Sequence, residues 1–353
     1  MNRLLMPVAS LYGFGARVRR HAYDRGWFES RRLSRPVISV GNLTLGGSGK
    51  TPLVGHIARL LVRNRYKPSI LTRGYGRVRG KDIIALDPQP NRAPDPRSVG
   101  DEPALLARAL PEVPIVICSD RYRAGRLAEE RYGVDVHILD DGFQHLSLAR
   151  EVDLVAVDLT RNVFHEALFP AGRMREPASA LARANLIVLT RSEIGDAASM
   201  EKQIRRINPE APIFRCETSL LALAELGGRR EVDAAQYHGK PACAFCAIGN
   251  PSAFFADLRR WGFHLVAELA FRDHHVYHES DLLRISRTAS ETGAAFLITT
   301  EKDVMNLPPQ VQIVLPVLAC EIQAKILDVG QFEKVLLARL SSNQLPSRVV
   351  LQT

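Results

Sequence analysis

Short, almost wholly apolar runs alternate with segments of helical periodicity along the first two thirds of the chain. The clearest runs, rich in valine, isoleucine and leucine, cover residues 37–40, 67–72, 113–118, 134–139, 152–157 and 186–189. Continuous apolar strands separated by helices are typical of a parallel sheet that is covered by helices on both faces. We therefore predict an α/β fold, in which ligands collect at the carboxyl ends of the strands.

The same alternation restarts near residue 213, with apolar runs at 213–215, 242–248 and 265–271 around a helical segment at 252–261. A chain of 353 residues is long enough for two domains. We predict a first domain over residues 1–212 and a smaller α/β domain over 213–287. The segment 288–353 is expected to pack back on the first domain.

A glycine-rich turn joins the first predicted strand to the first long helix. It consists of Thr44, Leu45, Gly46, Gly47, Ser48, Gly49, Lys50 and Thr51. Between a strand and a helix, such a turn directs main-chain amides at an anion, at a helix N-terminus that already favours negative charge. Lys50 is expected at the β- and γ-phosphates, and the Thr51 hydroxyl at Mg²⁺. Thr44 stands where the consensus has its first glycine. The pattern predicts a P-loop that binds a nucleoside triphosphate.

Acidic residues at two further places, one at a strand end and one at a helix start, are candidates for the active site. Asp140 and Asp141 end an apolar run in the manner of a Walker B strand, and either carboxylate could hold Mg²⁺. Asp101 lies where a loop enters a helix, so it either caps that helix or accepts a proton from an attacking hydroxyl. A histidine-rich stretch at 271–278 predicts either a metal site or a histidine that partners an acid.

Charge is concentrated at the N-terminus, where residues 1–35 hold eight arginines against two acids within a net charge of +9. Val8, Leu11, Gly15 and Val18 recur there at helical spacing. A basic amphipathic helix of this kind suits an anionic membrane surface, although a solvated surface helix is the alternative. No apolar run there is long enough to span a bilayer. No nucleic-acid recognition motif accompanies the charge, so we expect no nucleic-acid partner.

The five cysteines are scattered, which indicates a reducing compartment rather than a disulfide framework. Cys243 and Cys246 lie in an apolar run without a second cysteine pair. We therefore expect these two side chains to pack in the core.

Together, the motifs resemble those of the tetraacyldisaccharide 4′-kinases, the lipid A 4′-kinases of Gram-negative bacteria. The matching segments are 40–51, 72–77, 100–103, 140–145, 172–177, 273–275 and 299–303. The resemblance implies two α/β domains and ATP-dependent phosphorylation of the 4′-hydroxyl of a tetraacyldisaccharide 1-phosphate, which gives the bis-phosphorylated lipid A precursor. It also implies Mg²⁺ as a cofactor and peripheral binding at the cytoplasmic face of the inner membrane. We expect a monomer.

The resemblance also implies roles for individual residues. Asp101 resembles the catalytic base, and His274 its partner from the second domain. Asp140 and Glu176 resemble acids of the metal site. The residues expected to line the nucleotide cleft beside the P-loop are Asp141, Gln144, His145 and Arg175.

Two other classes of P-loop protein remain as alternatives. Regulatory or partitioning ATPases carry a lysine at the position of Leu45, which argues against that class. GTPases have lysine and aspartate where a guanine-binding motif would follow the strand at 186–189, but Arg191 and Glu193 occupy those positions here.

Overall fold

The computed structural model describes residues 5–74, 83–90, 92–226, 231–308 and 313–341. The strands are β1 (Val37–Asn42), β2 (Pro68–Thr72), β3 (Ile84–Leu86), β4 (Ile115–Ile117), β5 (Val136–Asp140), β6 (Val152–Asp158), β7 (Leu186–Thr190), β8 (Ile213–Glu225), β9 (Glu231–Val232), β10 (Pro241–Cys246), β11 (His264–Ala270), β12 (Phe296–Thr300) and β13 (Val317–Ile326). The helices are α1 (Met6–Asp24), α2 (Lys50–Arg63), α3 (Pro96–Val99), α4 (Asp101–Ala109), α5 (Arg121–Tyr132), α6 (Ala197–Arg205), α7 (Pro251–Arg260), α8 (Glu279–Glu291), α9 (Glu301–Met305) and α10 (Val329–Ser341). Residues 75–77 of the segment 72–77 lie outside the described residues.

The strands form one mostly parallel sheet, as the apolar runs predict. Its order is β11-β10-β12-β13-β8-β7-β6-β1-β5-β2-β4-β3, with β9 beside β8. Three neighbouring pairs are antiparallel: β13 with β8, β8 with β9, and β3 with β4. The central strands β1, β2, β5 and β7 are buried along their whole length, because helices cover both faces. The predicted α/β fold with a parallel sheet is confirmed.

The long strands β8 and β13 reverse the direction of the sheet. The start of β8 runs parallel to β7, and Thr190 at the end of β7 pairs with Cys216. β8 then continues to Glu225, antiparallel to β13. On the far side of β13, Thr300 at the end of β12 pairs with Cys320, which in turn pairs with Leu223. The carboxyl ends of β7 and β12 are therefore separated along β8 by the stretch from Cys216 to Leu223, roughly 23 Å of strand.

This reversal decides where ligands can bind. Strands β8, β7, β6, β1, β5, β2 and β4 point in one direction. Strands β10, β11, β12 and β13 point in the opposite direction. The carboxyl ends of the two groups consequently face each other across a cleft. In a parallel sheet these ends carry the functional loops, so this topology gathers the loops of both groups at one place.

The division into domains stays a prediction, because the sheet continues from one half of the molecule to the other. We use "first half" for the neighbouring strands β7, β6, β1, β5, β2 and β4, and "second half" for β10, β11, β12 and β13. Helix α10 packs on the first half through Phe332, Leu336 and Leu340. Strand β12 lies in the second half between β10 and β13, so only part of the segment 288–353 packs on the first half.

Candidate active site

Left-handed glycines shape the P-loop between β1 and α2. Gly46 has φ 101° and Gly49 has φ 74°, conformations that a side chain would strain. Thr44, at the consensus position of the first glycine, forms an antiparallel bridge with Met174 and has no positive φ. The adjacent Leu45 N–H donates to the carbonyl oxygen of Arg173 at 2.7 Å. The departure from the consensus therefore falls where the backbone does not require glycine.

Asn42, the last residue of β1, ties the P-loop together. Its buried amide Nδ2 donates to Ser48 Oγ at 2.7 Å and to the carbonyl oxygen of Thr44 at 2.9 Å. Its Oδ1 accepts a hydrogen bond of 3.0 Å from Lys50 Nζ. A single side chain thus positions the loop and its lysine. We did not assign Asn42 a role from the sequence, although its place at the carboxyl end of the P-loop strand was a usable signal.

Asp141 is held by two cations beside the P-loop. Lys50 Nζ lies 3.1 Å from Oδ1, and Arg175 Nη1 donates to Oδ2 at 2.6 Å. Burial alone would raise the pKa of Asp141, but the charges of Lys50 and Arg175 outweigh burial and lower it to about 2. Asp141 has φ 52°, a conformation that aspartate tolerates better than most residues. Its carboxylate is therefore already compensated.

Asp140, at the end of β5, forms no ion pair with a described residue, and the charge of Lys50 compensates it only in part. Its carboxyl group is buried and accepts one hydrogen bond of 3.0 Å, from Thr72 Oγ1. Burial raises the pKa of this carboxyl group, and the charges of Glu102 and Asp141 raise it further. A divalent cation would relieve this excess of negative charge, and carboxylate and hydroxyl oxygens are suitable ligands for Mg²⁺. Of the two adjacent acids, Asp140 fits the metal better.

Glu176 is bound by Arg183. Arg183 donates to Glu176 Oε1 at 2.7 Å and to Oε2 at 2.8 Å, and the guanidinium carbon lies 3.5 Å from the centre of the Phe143 ring. Gln144 Nε2 also donates to Glu176 Oε1, at 3.0 Å. Both carboxylate oxygens of Glu176 are therefore occupied, and the contacts of Glu176 with Arg183 and Gln144, which we call the clamp, fix the loop after β5. The metal role of Glu176 stays a prediction, and we did not identify Arg183 from the sequence.

The remaining predicted cleft residues separate into two groups. Gln144 also donates to the carbonyl oxygen of Asn42 at 3.0 Å, which connects it to the P-loop. His145 Nε2 instead lies 3.2 Å from Ser147 Oγ. Burial, with the nearby charges of Arg121, Arg150 and Arg19, lowers the pKa of His145 to about 4. Across the described parts of the chain, no group of three or more His, Cys, Asp or Glu side chains is arranged to hold a metal ion.

Asp101 and His274 meet across the cleft. Asp101 is the first residue of α4, yet its side chain does not cap the helix. Its Oδ2 instead lies 2.9 Å from His274 Nδ1, on the loop after β11. Burial would raise the pKa of Asp101, but the hydrogen bond from His274 and the charge of Lys302 lower it. The same hydrogen bond raises the pKa of His274, whose φ of 59° places it in the left-handed region. This contact favours the acid–histidine alternative for Asp101.

The two halves also touch at the P-loop itself. Gly249 follows β10, and a Cβ atom there would lie 2.7 Å from the amide nitrogen of Gly47 and 3.1 Å from Gly46 Cα. Arg173 Nη1 donates to the carbonyl oxygen of Gly249 at 3.2 Å. Only glycine permits so close an approach of two backbones. The second half is therefore seated directly on the phosphate-binding loop.

Two other candidate groups are structural. His275 Nε2 lies 2.8 Å from Asp281 Oδ2, and the same oxygen accepts the His278 N–H at the start of α8. Cys243 and Cys246 are buried within β10, and burial raises the pKa of both thiols. These cysteines pack in the core as expected.

The sheet, the P-loop, the acidic end of β5 and the acid–histidine pair together define a P-loop kinase fold. A family model described as Tetraacyldisaccharide-1-P 4'-kinase matches residues 1–341. The chain therefore belongs to the tetraacyldisaccharide-1-P 4'-kinase family. The family and the kinase function inferred from the sequence are confirmed, and the regulatory ATPase and GTPase alternatives are not favoured.

Curated relatives and a solved structure agree with this placement. The chain is 40% identical to the tetraacyldisaccharide 4'-kinase of Syntrophus aciditrophicus over 344 residues, which is 95% of this chain and 92% of the relative. It is 40% identical to the enzyme of that name from Geobacter metallireducens over 342 residues, 95% of this chain and 98% of the relative. The crystal structure of LpxK from Aquifex aeolicus in complex with ATP superposes with a TM-score of 0.75 at 30% identity, over 95% of this chain and 98% of that one.

Proposed function

We propose that the chain transfers the γ-phosphoryl group of ATP to the 4′-hydroxyl of a tetraacyldisaccharide 1-phosphate in the cleft between the two halves. The observation that carries this mechanism is the contact of 2.9 Å between Asp101 and His274, which come from opposite halves. The amides of the P-loop and Lys50 bind the triphosphate. Asp101 accepts the proton of the 4′-hydroxyl while the oxygen of that hydroxyl attacks the γ-phosphorus. The bond between the γ-phosphorus and the oxygen that leaves with ADP breaks.

Mg²⁺ fits two of the three predicted ligands. The Thr51 hydroxyl follows the P-loop lysine, and burial together with the charges of Glu102 and Asp141 disfavours the ionised form of Asp140 unless a cation is close. Mg²⁺ usually takes one or two protein ligands and completes its shell with phosphate oxygens and water. Glu176 is left out of the proposed set because Arg183 binds both its oxygens. The metal would neutralise charge on the β- and γ-phosphates.

The arrangement of the halves makes catalysis depend on their closure. His274 and Gly249 belong to the second half, whereas Asp101 and the P-loop belong to the first. An open cleft would separate Asp101 from His274 and admit water to the phosphate. Closure would therefore assemble the base only when substrate is enclosed.

Helix α1 supports peripheral binding to an anionic membrane, which we place at the cytoplasmic face with the protein as a monomer. This helix exposes several large apolar side chains to solvent, namely Val8, Leu11, Phe14 and Val18. A group of exposed apolar side chains is typical of a surface that binds a membrane or a partner. Arg19 donates to the carbonyl oxygen of Gln144, so α1 lies beside the active site. In the part of the chain that the structure covers, no helix is both long and apolar enough to cross a bilayer.

A label-transfer assay tests the chemistry. Purified protein is incubated with γ-³²P-ATP, Mg²⁺ and tetraacyldisaccharide 1-phosphate in detergent micelles, and lipid-bound label is measured. We expect transfer by wild type, a loss of at least about 100-fold in Lys50→Ala and Asp101→Asn, and wild-type activity in the exposed control Lys334→Ala. Excess unlabelled GTP should leave the label unchanged. Undiminished transfer by Asp101→Asn would remove Asp101 from the role of base.

Membrane binding has its own matched test. Leu11 on α1 and Leu283 on α8 are each 71% exposed, so a change to glutamate costs the fold little at either position. With sedimented vesicles of phosphatidylglycerol and phosphatidylethanolamine, Leu11→Glu should reduce binding and Leu283→Glu should not. Equal binding by both variants and wild type would refute the docking role of α1.

A further inference from the structure

Lys302 occupies a position beside the acid–histidine pair that neither the motifs nor the proposed mechanism explains. It lies in the first turn of α9, directly after the carboxyl end of β12. Its Nζ lies 3.5 Å from His274 Nε2, 3.8 Å from Asp101 Oδ2 and 3.3 Å from Asp273 Oδ1. The side chain is only 15% exposed, which makes it part of the cleft wall rather than a solvated surface lysine.

The two ring nitrogens of His274 face groups of opposite hydrogen-bonding character. Nδ1 faces the Asp101 carboxylate, which only accepts hydrogen bonds, and Nε2 faces the ammonium of Lys302, which only donates. A neutral imidazole carries one proton, on one of the two nitrogens. Only the tautomer with the proton on Nδ1 satisfies both neighbours at once.

We propose that Lys302 is a positioning residue that keeps the proton of His274 on Nδ1 and the carboxylate of Asp101 ionised. The inference rests on the proposed function, in which Asp101 is the base. Without the ammonium, a second proton could occupy Nε2, and the resulting imidazolium would hold the Asp101 carboxylate in an ion pair. Such a carboxylate is a weaker base towards the acceptor hydroxyl.

The surrounding charges agree with this role. Among the described residues, the charged groups close to the pair include Lys302 and Asp273, and Asp273 Oδ1 lies 3.9 Å from His274 Nε2, beyond hydrogen-bond distance. The positive charge of Lys302 lowers the pKa of both Asp101 and His274. Asp273 opposes Lys302 by raising the pKa of His274. Lys302 therefore limits the rise in the His274 pKa that its hydrogen bond to Asp101 produces.

The neighbouring Asp303 fixes the place of Lys302. Its buried carboxylate accepts hydrogen bonds from the Ala247 N–H at 2.8 Å, from Tyr277 Oη at 2.9 Å and from Thr300 Oγ1 at 2.6 Å. These contacts join the first turn of α9 to the end of β10 and to the loop that carries His274. The backbone of Lys302 is thus held in place relative to the loop that carries His274.

Two measurements on the full-length protein test the inference. The first is the tautomer of His274, observed by NMR of histidine-labelled protein, with its resonances assigned by their absence in His274→Gln. The second is the pH dependence of kcat in the label-transfer assay. The variants are Lys302→Met, Lys302→Arg as the charge-preserving form, and Lys325→Met as a control, since Lys325 is 62% exposed and paired with Glu217.

We expect the proton on Nδ1 in wild type, Lys302→Arg and Lys325→Met. In Lys302→Met, we expect His274 to be protonated on both nitrogens to higher pH, and the acid limb of kcat to move up by about one pH unit. At pH values below the acid limb of wild type, kcat should be about tenfold lower than in wild type, while the KM for ATP stays unchanged. An unchanged tautomer together with an unmoved acid limb in Lys302→Met would overturn the inference, and so would a failure of Lys302→Arg to restore both.

These outcomes are distinct from a failure of the proposed function. If Asp101→Asn transferred phosphate normally, the assignment of the base would be wrong whatever the His274 spectrum showed. If Asp101→Asn were inactive but Lys302→Met behaved as wild type, only the role of Lys302 would be wrong. Should Lys302→Met lose its folded state in thermal unfolding, Lys302→Gln keeps a donor without a charge, and its acid limb must still move up.

Discussion

Gly249→Ala should separate the two halves of the molecule without damaging either one. The added methyl carbon would lie 2.7 Å from the amide nitrogen of Gly47, 3.1 Å from Gly46 Cα and 3.2 Å from Asp273 Oδ2. Two of these neighbours are backbone atoms of the P-loop and cannot rotate away. Gly249 has no positive φ, so the substitution introduces a close contact but no backbone strain.

The expected magnitude follows from the cost of overpacking. An extra methyl group in a filled space typically costs about 1–3 kcal/mol. Here the contact can be relieved by opening the cleft, so the cost falls on the closed form rather than on the folded state. Since catalysis requires Asp101 and His274 to meet, a penalty of this size lowers kcat/KM by about 5- to 150-fold.

The assay combines activity with stability. Steady-state label transfer gives kcat/KM for wild type and Gly249→Ala, and differential scanning calorimetry gives Tm. The control is Gly330→Ala on α10, where an added Cβ meets no atom within 4 Å. We expect the control to match wild type in both measurements, and Gly249→Ala to lose activity at a nearly unchanged Tm.

Two results would refute the reasoning. Wild-type kcat/KM in Gly249→Ala would mean that the contact between Gly249 and the P-loop is not part of the active form. A large fall in Tm with an equal fall in activity would mean that the methyl group disrupts the fold of one half, not the closure between them.

Two further predictions concern the clamp on Glu176 and the acid–histidine pair. Arg183→Met leaves the half-buried carboxylate of Glu176 without its cation, so the free energy of unfolding in urea should fall by about 1–3 kcal/mol. A value within about 0.5 kcal/mol of wild type would contradict the clamp. For His274→Gln, the stability lost relative to wild type should depend on pH. The raised pKa of His274 contributes stability that is fully present below its unfolded value of about 6.5 and is lost as pH rises through the folded value. The lowered pKa of Asp101 contributes stability above its unfolded value of about 3.9. Unfolding curves should therefore differ most between about pH 4 and pH 6.5. A stability difference that kept growing as pH rose above about 6.5 would show that the pair is not formed.

The sequence predicted well those features that short windows of residues encode. The buried strands β1, β2, β5, β6 and β7 appear as mostly apolar runs, because a strand covered on both faces has few places where a polar side chain can find a partner. The P-loop could be recognised from its glycines and its Gly49-Lys50-Thr51 ending. These signals depend on neighbours in the chain and need no knowledge of the tertiary structure.

The sequence analysis did not predict the C-terminal part of β8 or the strand β13, and the reason is physical. The stretch from Cys216 to Glu225 is largely half-exposed and contains leucine, alanine and glutamate, which favour helices in isolation. What stabilises it as a strand is its pairing with β13, which lies far away in the chain. The strand conformation of this stretch therefore depends on its pairing with β13 and not on the intrinsic preferences of its own residues.

Most of the site residues could be named from motifs, but their relationships could not. Asn42, Arg183, Gly249 and Lys302 acquire their roles from partners distant in the chain. Glu176 illustrates the reverse case, since the motif that indicates it as a metal ligand contains no sign of Arg183 binding both its oxygens. An acid in a motif can serve a metal or an arginine, and only the surroundings distinguish the two.

The sequence by itself determined the α/β alternation, the phosphate-binding loop and the kinase family. The family resemblance implies that His274 partners Asp101, but no local pattern brings the two together, because their contact requires the two groups of parallel strands to point towards each other. That orientation follows from the antiparallel pairing of β8 with β13. Local periodicity is set by residues a few positions apart, whereas the register of a distant strand pair is set by the packing of the whole sheet.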